Sequence, residues 1–145
     1  MRHRHLVCAL LGLLSAMPLA AHHSAASLYL VDRQITVEGK VTEYRPINPH
    51  IRVYFDVTSA SGEVQHWLAE GGTRNVLLRR GWTGSELKPG DVVTIVGNPS
   101  RDGSFLMHCL KLRLPDGKEL FCEDQDFESL DQRRRRAAEH GAPTQ

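Results

Sequence analysis

An all-β fold, a small closed barrel of five to six strands with one short helix, follows from three features of the sequence. Apolar and polar residues alternate in several stretches, the period-2 mark of half-buried strands. Gly, Pro, Asn and Asp punctuate these stretches at turn positions. One segment between the third and fourth stretches breaks the alternation and carries helix-capping residues instead. With 145 residues, 41% hydrophobic and 24% charged, the chain has the makeup of one globular domain, which excludes a multidomain enzyme.

Residues 1–21 carry a basic head at Arg2 and Arg4, an apolar run over 6–14, then Pro18, Ala20 and Ala21, the pattern of a secretory signal peptide. Gly12, Ser15 and Pro18 break the run before it reaches the roughly 20 apolar residues of a transmembrane span. No membrane anchor is expected, Cys8 reads as a signal-peptide residue, and the mature protein is expected to be periplasmic or secreted. Cleavage after Ala21 is favoured, which leaves residues 22–32 as a polar leader at the mature N-terminus.

The barrel domain is expected over 33–122. Residues 33–44 set Ile35, Val37, Gly39 and Val41 against Thr36, Glu38, Lys40 and Thr42, and Gly39 in mid-strand predicts a bulge or sharp bend. A loop over 46–50 leads to a second strand, where Ile51, Val53, Phe55 and Val57 point one way and Arg52, Tyr54 and Asp56 the other. A turn over 58–63 precedes a third strand, 64–70. Thr73 N-caps a short helix that Gly81 stops, with Arg79 and Arg80 at its negative end. Pro89-Gly90-Asp91 turns into a fourth strand, 92–97, and Arg101-Asp102-Gly103 leads to a fifth, 105–114. Residues 115–118 then fold back into a short strand, 119–122. This order, in about 90 residues, is that of the oligonucleotide/oligosaccharide-binding (OB) barrel, with an open β-sandwich or another small barrel as the alternative. Over 123–145 apolar residues thin out and Arg133 to Arg136 form a charge run, so the tail is expected to be disordered or loosely helical.

Charge and motifs narrow the function. Lys and Arg number 18 against 17 Asp and Glu, and losing Arg2 and Arg4 with the signal leaves 16 against 17. No basic field results, so nucleic acid is not expected as a partner. Neither GxGxxG nor GxxxxGK[ST] occurs, which excludes dinucleotide and nucleoside-triphosphate folds. Asp56 and Glu70 have no acid/base spacing and read as surface charge at strand ends, and no enzyme is expected.

Taken together, Ala21-His22-His23-Ser24, Val37-Glu38-Gly39-Lys40-Val41, Asn48-Pro49-His50, Trp67 with Glu70, Arg80-Gly81-Trp82 and Leu87-Lys88-Pro89-Gly90-Asp91 resemble a family of short exported bacterial proteins known only as a domain of unknown function. The resemblance covers roughly residues 20 to 121. It implies export and a small barrel, and it supplies no activity. His66, His108, Cys109 and Cys122 depart from the family pattern. A looser likeness is to periplasmic OB-barrel proteins that bind small cationic or polar ligands.

The strongest candidate site is a metal site at His22, His23 and His50, with copper(II) or a similar borderline metal as the ligand. If His22 is the first mature residue, its amine and ring nitrogen form a bidentate arm and His50 supplies a third nitrogen. If Ala21 is first, its amine, two backbone amides and the His23 ring make a square-planar site. The bland alternative is a flexible polar leader in which two histidines happen to follow the signal. Oxygenase chemistry is disfavoured, because the larger sandwich and flat aromatic surface it needs are absent.

A competing function is a module without metal, in which a barrel face around Tyr54 and Trp67 with the 46–50 loop holds a small polar molecule, a sugar or a protein partner. His108 shares the even positions of Leu106, Leu110, Leu112 and Leu114, which predicts a barrel-lining histidine, and His66 reads as solvent-facing. Trp67 and Trp82 are expected to fill the core. Cys109 and Cys122 are expected to form a disulfide on compartment grounds. A tight turn at Asp116-Gly117 would set Cys122 opposite Lys111 and leave the two cysteines roughly 7 to 8 Å apart, beyond the usual ~4.4 to 6.8 Å of a bridge. A bulge or shifted turn would correct the distance.

Overall fold

The computed structural model describes residues 25–123 and 130–139. The expected signal peptide, His22 and His23, and residues 124–129 and 140–145 of the tail lie outside them. The described elements are a one-turn helix α1 (Ala25–Leu28), strands β1 (Ile35–Arg45), β2 (Arg52–Thr58) and β3 (Val64–Glu70), helix α2 (Arg74–Arg79), strands β4 (Val92–Pro99), β5 (Leu106–Arg113) and β6 (Glu119–Phe121), and helix α3 (Leu130–Glu139). The sheet order is β3-β2-β1-β4-β5-β6, and β3 also pairs with β5 in parallel, which closes β1 to β5 into a barrel and leaves β6 as an added strand. The all-β, OB-like barrel with its short helix between the third and fourth strands is therefore the observed architecture.

The alternation read from the sequence is the alternation of burial. Val41, Val53, Phe55, Ala69, Val93, Ile95, Met107 and Leu112 fill the interior, joined by Leu77 of α2 and by Trp82 and Leu87 after it. Thr73 caps α2 by accepting a hydrogen bond from the Val76 amide at 3.4 Å, and Gly81 beyond it takes φ +89°.

Two local readings are corrected. Gly39 is not the bulge of β1, because the register with β2 shifts between Val41 and Glu43. Gly39 is instead a point of close approach, since a Cβ there would stand 2.7 Å from the Asp56 carbonyl oxygen and collide with Phe55. The second correction concerns β5. Val96 pairs with Lys111 while Gly97 pairs with Cys109, so Leu110 is an extra residue that reverses which positions face inward. Met107 and Cys109 are buried before it, Leu112 and Leu114 after it. His108 therefore faces outward, on the opposite side from Leu112, and does not line the barrel. Gly97 makes the bulge possible, since a side chain there would run into the His108 carbonyl and the Met107 methyl.

A third shift brings the cysteines together. The β5–β6 register is Arg113 with Glu119, Leu112 with Leu120 and Lys111 with Phe121. Cys122 thus falls beside Leu110 rather than Lys111, its amide donating to the Leu110 carbonyl at 3.0 Å. The Cys109–Cys122 disulfide forms across a Cα–Cα distance of 5.6 Å.

Candidate functional site

Five side chains from five parts of the chain meet on the outer surface where β3 runs beside β5. Parallel pairing sets Glu70 next to His108. Strand β2 adds Arg52, the partner of Glu70 in the β2–β3 ladder, whose Nε donates to Glu70 Oε1 at 2.9 Å. His108 Nε2 lies 2.7 Å from Glu123 Oε1, just past β6. Over this group lies Tyr29, its ring stacked on His108 at 5.3 Å between centroids and its hydroxyl donating to Glu70 Oε2 at 3.0 Å. Tyr29 is buried, and that burial, reinforced by the Glu70 charge, pushes its hydroxyl pKa above the usual tyrosine range. His108 Nδ1 is buried with no hydrogen-bond partner among the described residues.

The N-terminal segment that delivers Tyr29 is fastened along the β4–β5 hairpin. Leu30 donates its amide to Pro99, and Arg101 donates its amide to Leu28 and its Nε to Ala26. The buried Asn98 amide donates to the Arg33 carbonyl at 2.6 Å. From Ala25 onward the leader is part of the folded surface rather than a loose polar tether, because ring burial and these bonds together offset the entropy of ordering it.

His50, the one expected metal ligand within the described residues, is exposed on the loop before β2. Its Nδ1 is 3.1 Å from the Gly71 carbonyl, which can only accept, so Nδ1 carries the hydrogen and the neutral ring presents its Nε2 lone pair. Among the described residues no group of three or more His, Cys, Asp and Glu could hold a metal ion. The barrel-face pairing of Tyr54 with Trp67 is corrected. In the β2–β3 register Tyr54 stands opposite Leu68 on the outer face, under the Arg45 guanidinium, whereas Trp67 stands opposite the buried Phe55 on the inner face. Adjacent strand positions face opposite ways, so the two rings do not share a surface. Trp67 packs on Phe55 and Phe105, and Trp82 is buried with its Nε1 donating to the Phe121 carbonyl at 2.9 Å. His66 is solvent-facing and pairs with Asp56.

Sequence reasoning missed Tyr29 and Glu123 and gave Glu70 only a surface charge. A signal was present for Tyr29, a large ring in a polar leader close to other apolar residues. The meeting of Glu70, His108 and Glu123 depends on the parallel β3–β5 closure and the Leu110 bulge, which no local pattern announces.

The profile of a family of unknown function (DUF6152) matches residues 11–108. No curated protein matches the chain. Among solved structures it is similar to the mitochondrial single-stranded DNA binding protein Rim1 of S. cerevisiae, at 8% identity and a TM-score of 0.41, over 57% of this chain and 92% of that one. The expectation that nucleic acid is no partner rested on net charge alone and is withdrawn. Net charge sums over a whole chain, while a single strand needs only a local groove and stacking faces, so overall neutrality excludes nothing for such a barrel. No helix among the described residues is long and apolar enough to cross a membrane.

Proposed function

The chain belongs to this family of unknown function, and from that premise we propose that it is an exported bacterial binding protein, periplasmic or secreted, that holds copper(II) through His22, His23 and His50. The observation that carries the reading is the His50 hydrogen bond to the Gly71 carbonyl. A backbone acceptor on one ring nitrogen fixes the tautomer and turns the other nitrogen outward, the arrangement that metal-ligating histidines adopt. The basic head, apolar run and small residues of 1–21 support export and a mature start at His22, whose amine and imidazole then add two nitrogens. Helix α1 begins two positions after His23 and is tied to the barrel by Tyr29 and Arg101, so the linker between the histidine pair and the folded surface is short. Such a protein carries or buffers the ion and performs no chemistry on a substrate.

Copper titration tests this on three forms: the processed protein beginning at His22, the same protein with one extra N-terminal residue, and His50→Ala. The processed form is expected to take up one copper ion, and both changes to weaken it by about 10-fold or more. Equal binding by all three, or by none, overturns the reading.

A further inference from the structure

The two cysteines flank the cluster that holds Tyr29. Cys109 follows His108 and Cys122 precedes Glu123, so the covalent bridge is one residue away from both ends of the His108–Glu123 contact. The Cys122 carbonyl also accepts the Gly72 amide at 2.6 Å, tying the bridge to the turn that follows Glu70. The barrel, by contrast, closes without the bridge. Strands β1 to β5 are joined by their own ladders and by the β3–β5 pairing, while β6 adds three register pairs at the sheet edge. A three-residue edge strand holds the chain end weakly unless something staples it.

We propose that oxidation of Cys109 and Cys122 is the step that docks the N-terminal segment, which makes docking redox-gated. In the dithiol chain the barrel forms but Glu123 is not held on His108, and Tyr29 lacks a fixed platform. As the bridge forms, the two thiols lose two electrons and two protons to a disulfide-bearing oxidant, which departs as two thiols through a mixed-disulfide intermediate. Glu123 then closes on His108, and Tyr29 stacks over the ring with its hydroxyl on Glu70. Burial of both sulfurs places this step before or during final packing, since a small thiol has no access to the finished bridge. The inference stands apart from the copper reading and uses only residues of the described fold.

Amide hydrogen exchange on the full mature chain is the test. The reporters are the Leu30 and Arg101 amides, which bond across to Pro99 and Leu28, and the reference is the β1–β4 ladder around Val37 and Ile95. In Cys109→Ala/Cys122→Ala the reporters are expected to exchange at least about tenfold faster while the ladder stays within about twofold of wild type. Glu123→Ala, with its bridge intact, is expected to speed the same reporters. Unchanged reporters in either variant overturn the proposal. So does equal loosening of the ladder, or failure of the cysteine-free chain to fold, since the bridge would then be a global staple.

Discussion

Two histidine–carboxylate pairs on the outer surface have the same separation and opposite surroundings. His66 Nδ1 and Asp56 Oδ1 are 2.7 Å apart, as are His108 Nε2 and Glu123 Oε1. The first is a cross-strand pair between β3 and β2 in which the histidine side chain is 82% exposed, and in the second the histidine is 19% exposed beneath Tyr29. In water an ion pair gains modest Coulomb energy and loses side-chain freedom, so its contribution is about 0 to 1 kcal/mol. A covered pair sits where the dielectric is lower and where removing one partner leaves the other covered and unpaired, so its members depend on one another. Distance alone does not rank the two sites. What lies over them does.

The largest effect should come from removing the cover. Tyr29→Ala takes away a buried ring and its hydroxyl bond and exposes His108, and a loss of about 3 kcal/mol is expected in urea unfolding. Tyr54→Ala, on the uncovered face where Arg45 lies over the ring at 5.1 Å, should cost under about 1 kcal/mol. Equal losses for the two tyrosines would mean that the docked segment adds nothing, and the comparison between the faces would fail.

A smaller effect sharpens the same contrast. Burial first, and then the Glu70 charge, raises the Tyr29 hydroxyl pKa above its unfolded value. A group whose folded pKa is raised contributes fully below the unfolded value, here ~10, and loses that contribution as pH climbs through the folded one. The stability difference between wild type and Tyr29→Phe is therefore expected to be about 1 to 2 kcal/mol and flat up to about pH 9. It should shrink above about pH 10. Urea midpoints of both proteins across that range check it, and a gap that widens with alkalinity would contradict the assigned hydroxyl bond.

Most of the barrel was legible because its strands are half-buried and period 2 writes burial directly into sequence. Strand β3 is observed where the pattern puts it, and Thr73 caps α2 as its residue type suggests. What the pattern could not carry was phase. In β5 one extra residue, Leu110, turns His108 from the interior to the surface, and a one-residue change at the 114–118 turn moves Cys122 from Lys111 to Leu110. Both are single-position register choices set by contacts with neighbouring strands, such as the Gly97 close approach. The cluster beneath Tyr29 needed three separate events: parallel closure of β3 on β5, the bulge, and the docking of a segment outside the barrel. Each is a long-range consequence of folding, while His50 was readable from sequence only as a residue type and acquired its fixed tautomer from Gly71, a residue in a different loop.

The smallest effect belongs to the exposed pair, and it is the control on everything argued from burial. Asp56→Asn and His66→Ala should each change stability by at most about 0.5 kcal/mol at low salt. The residual effect should vanish in 1 M salt, where screening acts over about 3 Å. Glu123→Gln, measured beside them, should lose more and keep more of its loss at high salt, because Tyr29 covers His108 and leaves that contact less open to ions and water than the exposed pair. If the exposed pair instead proves as costly to break as the covered one, then 2.7 Å rather than solvation governs both, and Tyr29 would have to be regarded as a bystander on a surface that holds without it.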